Sequence, residues 1–330
     1  MMIEHVDAIV GLRRFQALEL GAVPGKGADV LAELRYADEP GGRPLAARPD
    51  VAAGLTLPVL AAGGTTDVLL WLGEGAYELR YGRTLRALLR LLQTAGVEVA
   101  VLGADERDCG DIARRLGDEA TFQRLAAANI AALSARRFSR ILTADPHAFH
   151  VLKNEYPAFG GRFEVVHHTT FLAGLVADGR LRPGMLAGPA VAYHDPCYLG
   201  RYNGETAAPR ALLDALGLER REMARSGLRS MCCGGGGGAP VTDVPGERRI
   251  ADLRMEQVRE TGAATVAVAC PGCTAMLEGV TEPRPQVKDV AELLWEAVEA
   301  AAAGPGAAPA GSAGGPGVAA GASGRPEAVA

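Results

Sequence analysis

The chain has 330 residues, of which 48% are hydrophobic and 22% are charged, so it can bury a substantial core and is not disordered. Its formal net charge of -5 lacks the basic excess of a nucleic-acid-binding protein. No run of about 18 apolar residues occurs, and the N-terminus lacks the apolar stretch of a secretory signal. We therefore expect a cytoplasmic globular protein that neither binds nucleic acid nor spans a membrane.

Composition and hydrophobic pattern divide the chain into four predicted segments. Residues 1–65 form a leader that is partly helical and is broken by the turn-rich stretch ADEPGGRP. Residues 66–182 and 183–300 each alternate short apolar runs with helical stretches. Residues 301–330 consist mainly of Ala, Gly and Pro, a composition that predicts a disordered tail because it offers little to bury.

Six short apolar runs within residues 66–300 are typical of buried β-strands. They cover residues 67–72, 97–103, 139–144, 163–168, 190–195 and 264–270. Helical stretches lie between them, for example ATFQRLAAANIAALSARR. This alternation predicts an α/β fold with parallel sheets, in which functional groups gather at the carboxyl ends of the strands.

Five of the six cysteines lie between residues 197 and 273, in three groups with regular spacing. Cys197 is followed after 34 residues by Cys232 and Cys233, and after 36 more by Cys270-Pro-Gly-Cys273. All three groups fall at predicted strand-to-helix turns, so we expect the thiols to meet at one edge of a sheet. Clustered cysteines in a cytosolic protein more often hold metal than form disulfides.

The same spacing occurs upstream with other residue types. Glu74, the pair Asp108–Cys109 and Asp145 lie 123, 124 and 125 residues before the corresponding cysteines. Ala148 stands at the position that corresponds to the last cysteine. The sequence therefore predicts an internal duplication of about 120 residues, in which the first copy has lost four of its five thiols.

Five thiols at one sheet edge favour an iron–sulfur cluster, since such clusters take about four cysteine ligands. Zinc also takes four thiolates and stays open as an alternative, as do free structural thiols. The glycine run 234–238 directly after the cysteine pair would let backbone N–H groups approach cluster sulfides, because glycine has no Cβ.

The stretches HDPCYLGRYNGETAAPR, MCCGGGGGAP and ACPGCTAML resemble the cysteine-rich "CCG" domain. This domain occurs twice in the cysteine-rich subunit of heterodisulfide reductase and in the iron–sulfur subunits of glycolate, lactate and glycerol-3-phosphate dehydrogenases. The resemblance covers about residues 4–300. It is nearest to iron–sulfur electron-transfer proteins of the dimethylglycine-catabolism type. It implies two tandem pseudo-symmetric CCG domains, of which the first has degenerate ligand positions.

The resemblance also implies a cofactor and partners. In the family each intact motif holds a [4Fe–4S] cluster, which is noncubane in heterodisulfide reductase. The implied ligands in this chain are Cys197, Cys232, Cys233, Cys270 and Cys273. The implied partners are a flavoprotein dehydrogenase or demethylase, a downstream carrier or quinone, and a separate ferredoxin-like or membrane subunit. Such a subunit would place the protein peripherally at the inner membrane.

Three functions stay open: an iron–sulfur electron-transfer subunit, a heterodisulfide or disulfide reductase-type enzyme, and a zinc-binding scaffold. The degenerate copy is interpreted as structural, with a hard cation held by Glu74, Asp108 and Asp145 as a lesser alternative. His194 either donates a hydrogen bond to a cluster sulfide, relays a proton, or is a core or loop histidine. The remaining candidates are interpreted as structural or surface residues: His147, His150, His167, His168 and Arg201.

Overall fold

The computed structural model describes residues 5–242 and 246–303 and contains two parallel four-stranded sheets. The first has the strand order β2-β1-β3-β4 and the second the order β6-β5-β7-β8, so the two copies share one topology. The strands are β1 (Val68–Trp71), β2 (Val99–Ala100), β3 (Arg140–Thr143), β4 (Val165–His167), β5 (Val191–Tyr193), β6 (Arg220–Arg221), β7 (Thr265–Val268) and β8 (Gln286–Asp289). This arrangement confirms the predicted α/β fold of two tandem domains.

Helices connect the strands and cover the sheets. They are α1 (Val6–Arg14), α2 (Gly27–Ala37), α3 (Gly82–Thr94), α4 (Asp111–Leu116), α5 (Glu119–Ser134), α6 (Pro146–His150), α7 (His168–Ala177), α8 (Cys197–Asn203), α9 (Ala207–Ala215), α10 (Ile250–Glu260), α11 (Pro271–Glu278) and α12 (Val290–Ala303). In the described part of the chain, no helix is long and apolar enough to cross a bilayer. The part of the predicted tail beyond α12, residues 304–330, lies outside the described residues.

The strands form where the sequence is apolar on both faces. All four residues of β1, VLLW, are buried, as expected for a strand of a parallel sheet covered by helices on both sides. Each of the six predicted runs contains an observed strand. The edge strand β6 has no apolar signal, because it consists of two half-buried arginines that pair with Val191 and Ala192.

The last helix of each half packs on the other half. Helix α12 lies against α3, and α7 lies against α9. Helix α3 has buried leucines at Leu85, Leu88, Leu89 and Leu92, a spacing that places them on one helix face. These leucines and Leu294 of α12 belong to one hydrophobic cluster, so the two halves share a core.

Buried polar contacts also join the halves. Asp289, at the end of β8, lies with Oδ1 2.9 Å from Nε2 of His168 and accepts a hydrogen bond at Oδ2 from the Tyr81 hydroxyl at 3.1 Å. The same carboxylate accepts the backbone N–H of Ala291 at 2.9 Å. Asp289, His168 and Tyr81 are all buried, so the halves are held in a fixed orientation at this point.

Candidate metal centre

The five cysteines lie at the carboxyl edge of the second sheet. Cys197 follows β5 and begins α8, while Cys270 follows β7 and caps the N-terminus of α11, whose first turn contains Cys273. Cys232 and Cys233 lie in the long segment between β6 and α10. Cys197 and the Cys270–Cys273 pair thus lie at strand-to-helix turns, as the sequence predicts, whereas Cys232 and Cys233 lie in a long connection and not at a tight turn.

The sulfur atoms form one continuous group. The thiol of Cys197 is hydrogen-bonded to that of Cys232, which also contacts Cys233. Cys233 contacts Cys273, and Cys273 contacts Cys270. Three of the five cysteines are buried, whereas Cys197 and Cys232 are half-buried and form the side of the group nearer to solvent.

Backbone N–H groups point at these sulfur atoms. Gly234 N–H donates to Cys232 Sγ at 3.2 Å, Gly235 N–H to Cys233 Sγ at 3.3 Å, and Cys273 N–H to Cys270 Sγ at 3.4 Å. A Cβ on Gly235 would lie 3.4 Å from Cys233 Sγ and only 3.2 Å from the Met276 side chain. A side chain at position 235 would therefore crowd Met276, and glycine suits this position because the loop runs close to the sulfur atoms.

The thiols do not ionise equally. Hydrogen bonds from neighbouring thiols lower the pKa of Cys232, and the Cys273 thiol together with His147 lowers the pKa of Cys270 to about 5 despite its burial. The pKa of Cys197 is raised, first because its thiol is hydrogen-bonded to Cys232 and second because it is partly buried. Negative charge is thus favoured at two sulfur positions even before any metal binds.

A histidine and an arginine lie behind the thiols. Within the described residues, one set of three candidate ligand atoms lies within 4.8 Å of one another, and it comprises His194, Cys233 and Cys273. The Nδ1 atom of His194 accepts a hydrogen bond from Nε of Arg254 at 3.0 Å, whereas the buried Nε2 atom has no partner. Burial, followed by the Arg254 charge, lowers the pKa of His194 to about 3, so the imidazole is neutral.

These residues fit a sulfur-ligated metal group. Thiolates are the ligands of iron–sulfur clusters and also bind zinc, whereas calcium and magnesium take oxygen ligands. A metal group bound between the thiols would explain two features of the site. It would give the unpartnered Nε2 atom of His194 a neighbour, and it would account for the glycine loop that runs close to the sulfur atoms.

The first half keeps the backbone of this site but replaces its sulfur atoms with carboxylates. Asp108 Oδ1 accepts the N–H of Gly110 at 2.6 Å, as Cys232 accepts that of Gly234. Asp145 caps α6 and accepts the N–H of His147 at 2.9 Å, in the position that Cys270 occupies on α11. The turns thus retain N–H donors for an anionic side chain after the thiols are lost.

The carboxylates of the first half hold protons unusually tightly. Burial, followed by the charges of Asp108 and Asp145, raises the pKa of Glu74 to about 8, and burial raises the pKa of Asp145 to about 7. Burial also raises the pKa of Asp108 to about 6. Among the described residues, these three do not form a group of ligand atoms within 4.8 Å of one another.

The raised pKa of Asp145 makes stability depend on pH. An aspartate titrates near pH 3.9 in the unfolded chain, so between that pH and about 7 the folded state binds more protons, and stability falls as pH rises. The variant Asp145→Asn keeps the acceptor for His147 N–H but has no charge. We expect its gain in Tm over the wild type to be larger at pH 8 than at pH 5, as measured by differential scanning fluorimetry. An equal gain at both pH values would contradict this.

His147 contacts the thiol site, and Arg201 contacts the loop that precedes Cys232. His147 belongs to the first half, but its ring is hydrogen-bonded to the Cys270 thiol and to Asp111 and stacks on Tyr198 at a ring separation of 3.9 Å. Arg201 donates to the carbonyl oxygen atoms of Leu228, at 3.1 Å, and Ser230. It therefore braces the loop before Cys232 and is not a free surface charge.

A cavity of about 580 Å³ separates the thiol site from its degenerate twin. Glu74, Asp108 and Asp145 line one side, and Gly235 and Pro271 line the other. Since Gly235 also donates its N–H to Cys233 Sγ, a molecule in this cavity would lie one backbone segment from the thiols. The size is in the range of small-molecule sites.

Two parallel α/β repeats, one with cysteines gathered at the ends of its strands, define a duplicated cysteine-rich domain protein. The chain belongs to the CCG cysteine-rich domain family, whose model matches residues 69–153 and 191–278, more than half of the chain. The two matches confirm the family resemblance and the duplication.

Its relatives carry the names of iron–sulfur and electron-transfer proteins. A probable membrane-anchored ferredoxin of Chromohalobacter salexigens is 57% identical over 91% of this chain and 46% of its own length. A probable iron–sulfur-binding oxidoreductase of Bacillus subtilis, FadF, is 38% identical over 90% of this chain and 44% of its own. An EtfAB:quinone oxidoreductase of Syntrophomonas wolfei is 36% identical over 91% and 44%. The chain therefore spans less than half the length of these relatives.

Proposed function

We propose that this chain is an iron–sulfur electron-transfer module with one [4Fe–4S] cluster in its second half. The cluster ligands in this proposal are Cys197, Cys232, Cys233, Cys270 and Cys273. The observation that carries the proposal is the contact of these five thiols, from three separate turns, in one partly buried group. When bound, the cluster supplies reversible one-electron chemistry, which none of the side chains supplies.

The residues around the thiols suit this role. The N–H groups of Gly234 and Gly235 stabilise sulfur-centred negative charge, which increases when a cluster is reduced. The half-buried Cys197 and Cys232 form the edge at which a partner can approach closely. Electrons then enter from a flavoprotein dehydrogenase or demethylase and leave to a downstream carrier or quinone. The names of the relatives, a ferredoxin and an EtfAB:quinone oxidoreductase among them, support this direction.

The proposed partners also imply where in the cell the protein is located. A relative named a membrane-anchored ferredoxin supports a location at the inner face of a membrane, reached through a ferredoxin-like or membrane component. In this proposal the chain itself remains on the cytoplasmic side.

The test is metal analysis of protein purified without oxygen. We expect iron and acid-labile sulfide in equal amounts near four per chain, together with an electron paramagnetic resonance signal that appears or disappears on reduction. Zinc near one per chain without sulfide would overturn the proposal in favour of a zinc-binding scaffold.

The cavity favours a second candidate function, a disulfide or heterodisulfide reductase-type enzyme. In such an enzyme a substrate disulfide in the cavity accepts two electrons, one at a time through the cluster, and two protons, and leaves as two thiols. Protonated Glu74 and Asp145 line the cavity and can supply the protons. Gly235 lines the cavity and donates its N–H to Cys233 Sγ, so it connects the cavity with the thiol site.

Filling the cavity separates the two functions. Ala275 lies on α11 and lines the cavity, so the variant Ala275→Phe reduces its volume without removing a thiol. If the chain is a reductase, we expect the pre-reduced cluster of this variant to be reoxidised by a small disulfide at least tenfold more slowly than that of the wild type. Its reoxidation by ferricyanide should proceed at the wild-type rate. Equal rates with the disulfide in variant and wild type, measured by stopped-flow absorbance, would leave electron transfer as the function.

A further inference from the structure

His194 and Arg254 form a buried pair beside the thiols to which the proposed function gives no role. Their relative exposures are 1% and 0%. Arg254 lies on α10 and His194 directly follows β5, so two separate elements bring the pair to the site. The candidate ligand atom of His194 lies within 4.8 Å of those of Cys233 and Cys273.

The hydrogen bond between the two residues fixes the position of the imidazole proton. An arginine side chain has donors only, so Nε of Arg254 must donate to a lone pair on Nδ1 of His194, at 3.0 Å. A histidine whose Nδ1 accepts carries its proton on Nε2. A metal ligand needs a free lone pair on that same nitrogen, so this tautomer is unsuited to ligation and suited to donation.

The Nε2–H group has no acceptor among the described residues although it is buried. Buried donors are almost always satisfied, so an acceptor is expected where this nitrogen points. The sulfur atoms of Cys233 and Cys273 are the candidate acceptors, because a ring nitrogen of His194 lies within 4.8 Å of both. A sulfur atom that carries the negative charge of a cluster is a stronger acceptor than a neutral thiol.

Arg254 itself lacks a carboxylate partner among the described residues. Its guanidinium donates to the Arg225 carbonyl at 2.9 Å, the Gln257 side chain at 2.7 Å and the Ser230 hydroxyl at 3.2 Å, all of them neutral. The nearby Asp195 is already paired with Arg210 at 2.7 Å. A buried positive charge without an ion pair is costly. Cys233 and Cys273 in front of His194 provide the opposite charge when they are thiolate ligands of the proposed cluster.

We propose that His194 is a positioning residue that donates an N–H···S hydrogen bond from Nε2 to the Cys233–Cys273 pair, and that Arg254 holds it in the donating tautomer. This inference rests on the proposed function, since it requires a sulfur-ligated cluster in the site. The bond and the Arg254 charge both stabilise the more negative, reduced cluster and so raise its reduction potential.

The test compares His194→Leu, which removes the donor, with His194→Gln, which keeps an N–H group on a side chain of similar length. We compare variants with full iron content. At a given applied potential, we expect His194→Leu to lower the ratio of reduced to oxidised cluster about tenfold, which corresponds to a fall of about 59 mV in the one-electron reduction potential. His194→Gln restores part of this shift. Arg259→Leu, an exposed residue on the same helix, is the matched control and leaves the potential unchanged.

Two further readouts make the outcomes distinct. Electron paramagnetic resonance with ¹⁵N-labelled histidine should show only weak hyperfine coupling between the cluster and the His194 nitrogen. The coupling is weak because the nitrogen contacts the cluster through a hydrogen bond and not through a metal–nitrogen bond. Strong coupling, or loss of iron in His194→Leu, would show that His194 is a ligand and overturn the inference. An unchanged potential in His194→Leu would also overturn it while leaving the cluster assignment intact. Zinc in place of iron in the wild type would instead refute the proposed function.

Discussion

Replacing Cys233 with alanine is expected to remove the proposed cluster. Cys233 is buried, contacts the thiols of both Cys232 and Cys273, and accepts the N–H of Gly235, so it occupies the middle of the sulfur group. Its loss leaves the remaining thiols in two separate pairs. We expect iron and acid-labile sulfide to fall to less than a tenth of the wild-type content, with loss of the visible absorbance of the cluster, on protein prepared without oxygen.

The duplication provides a matched control for this experiment. Cys109 stands in the first half at the position of Cys233 and is also buried. The variant Cys109→Ala removes the same atoms from the equivalent turn, so it reports the effect of a cysteine substitution on folding alone. We expect it to retain full iron content. Equal loss of iron from both variants, with both folded by circular dichroism, would contradict the assignment of the cluster to the second half.

The convergence of the thiols could be predicted because it depends on chain topology alone. Parallel strands place the residues that follow them at one edge. Cysteines separated by 34 and 36 intervening residues can therefore be predicted to meet without any knowledge of their side-chain contacts. The duplication could be predicted for a similar reason, since two copies of one topology keep the same spacing. The structure repeats the strand order in both halves.

The contacts between the halves could not be predicted in this way. His147 reaches Cys270 because the two halves face each other, and nothing in the sequence near His147 indicates that orientation. The duplication offers one indirect signal, since His147 corresponds to Gly272, inside the Cys270–Cys273 turn. The role of Arg254 is equally hidden, because a charged residue in the stretch RRIADLRM resembles a solvent-facing helix position.

The substitution Asp289→Ala is expected to have the largest effect on stability among the polar contacts between the halves. It removes the acceptor of hydrogen bonds from Tyr81 and Ala291 and the partner of His168 Nε2. The Tyr81 hydroxyl keeps the Ala144 carbonyl as a partner, whereas the Ala291 N–H and His168 Nε2 lose theirs. At about 1 kcal/mol for each of three contacts, the free energy of unfolding should fall by roughly 3 kcal/mol. Urea denaturation followed by tryptophan fluorescence measures this change.

The control is Asp214→Ala, which breaks an ion pair between Arg220 and a carboxylate that is 55% exposed. A surface pair of this kind is worth about 0–1 kcal/mol, so the two variants should differ clearly. Because α12 and α3 share one core, Asp289→Ala should still unfold in a single transition at lower urea concentration. Two separate transitions would show that the halves are stable independently and that Asp289 only orients them.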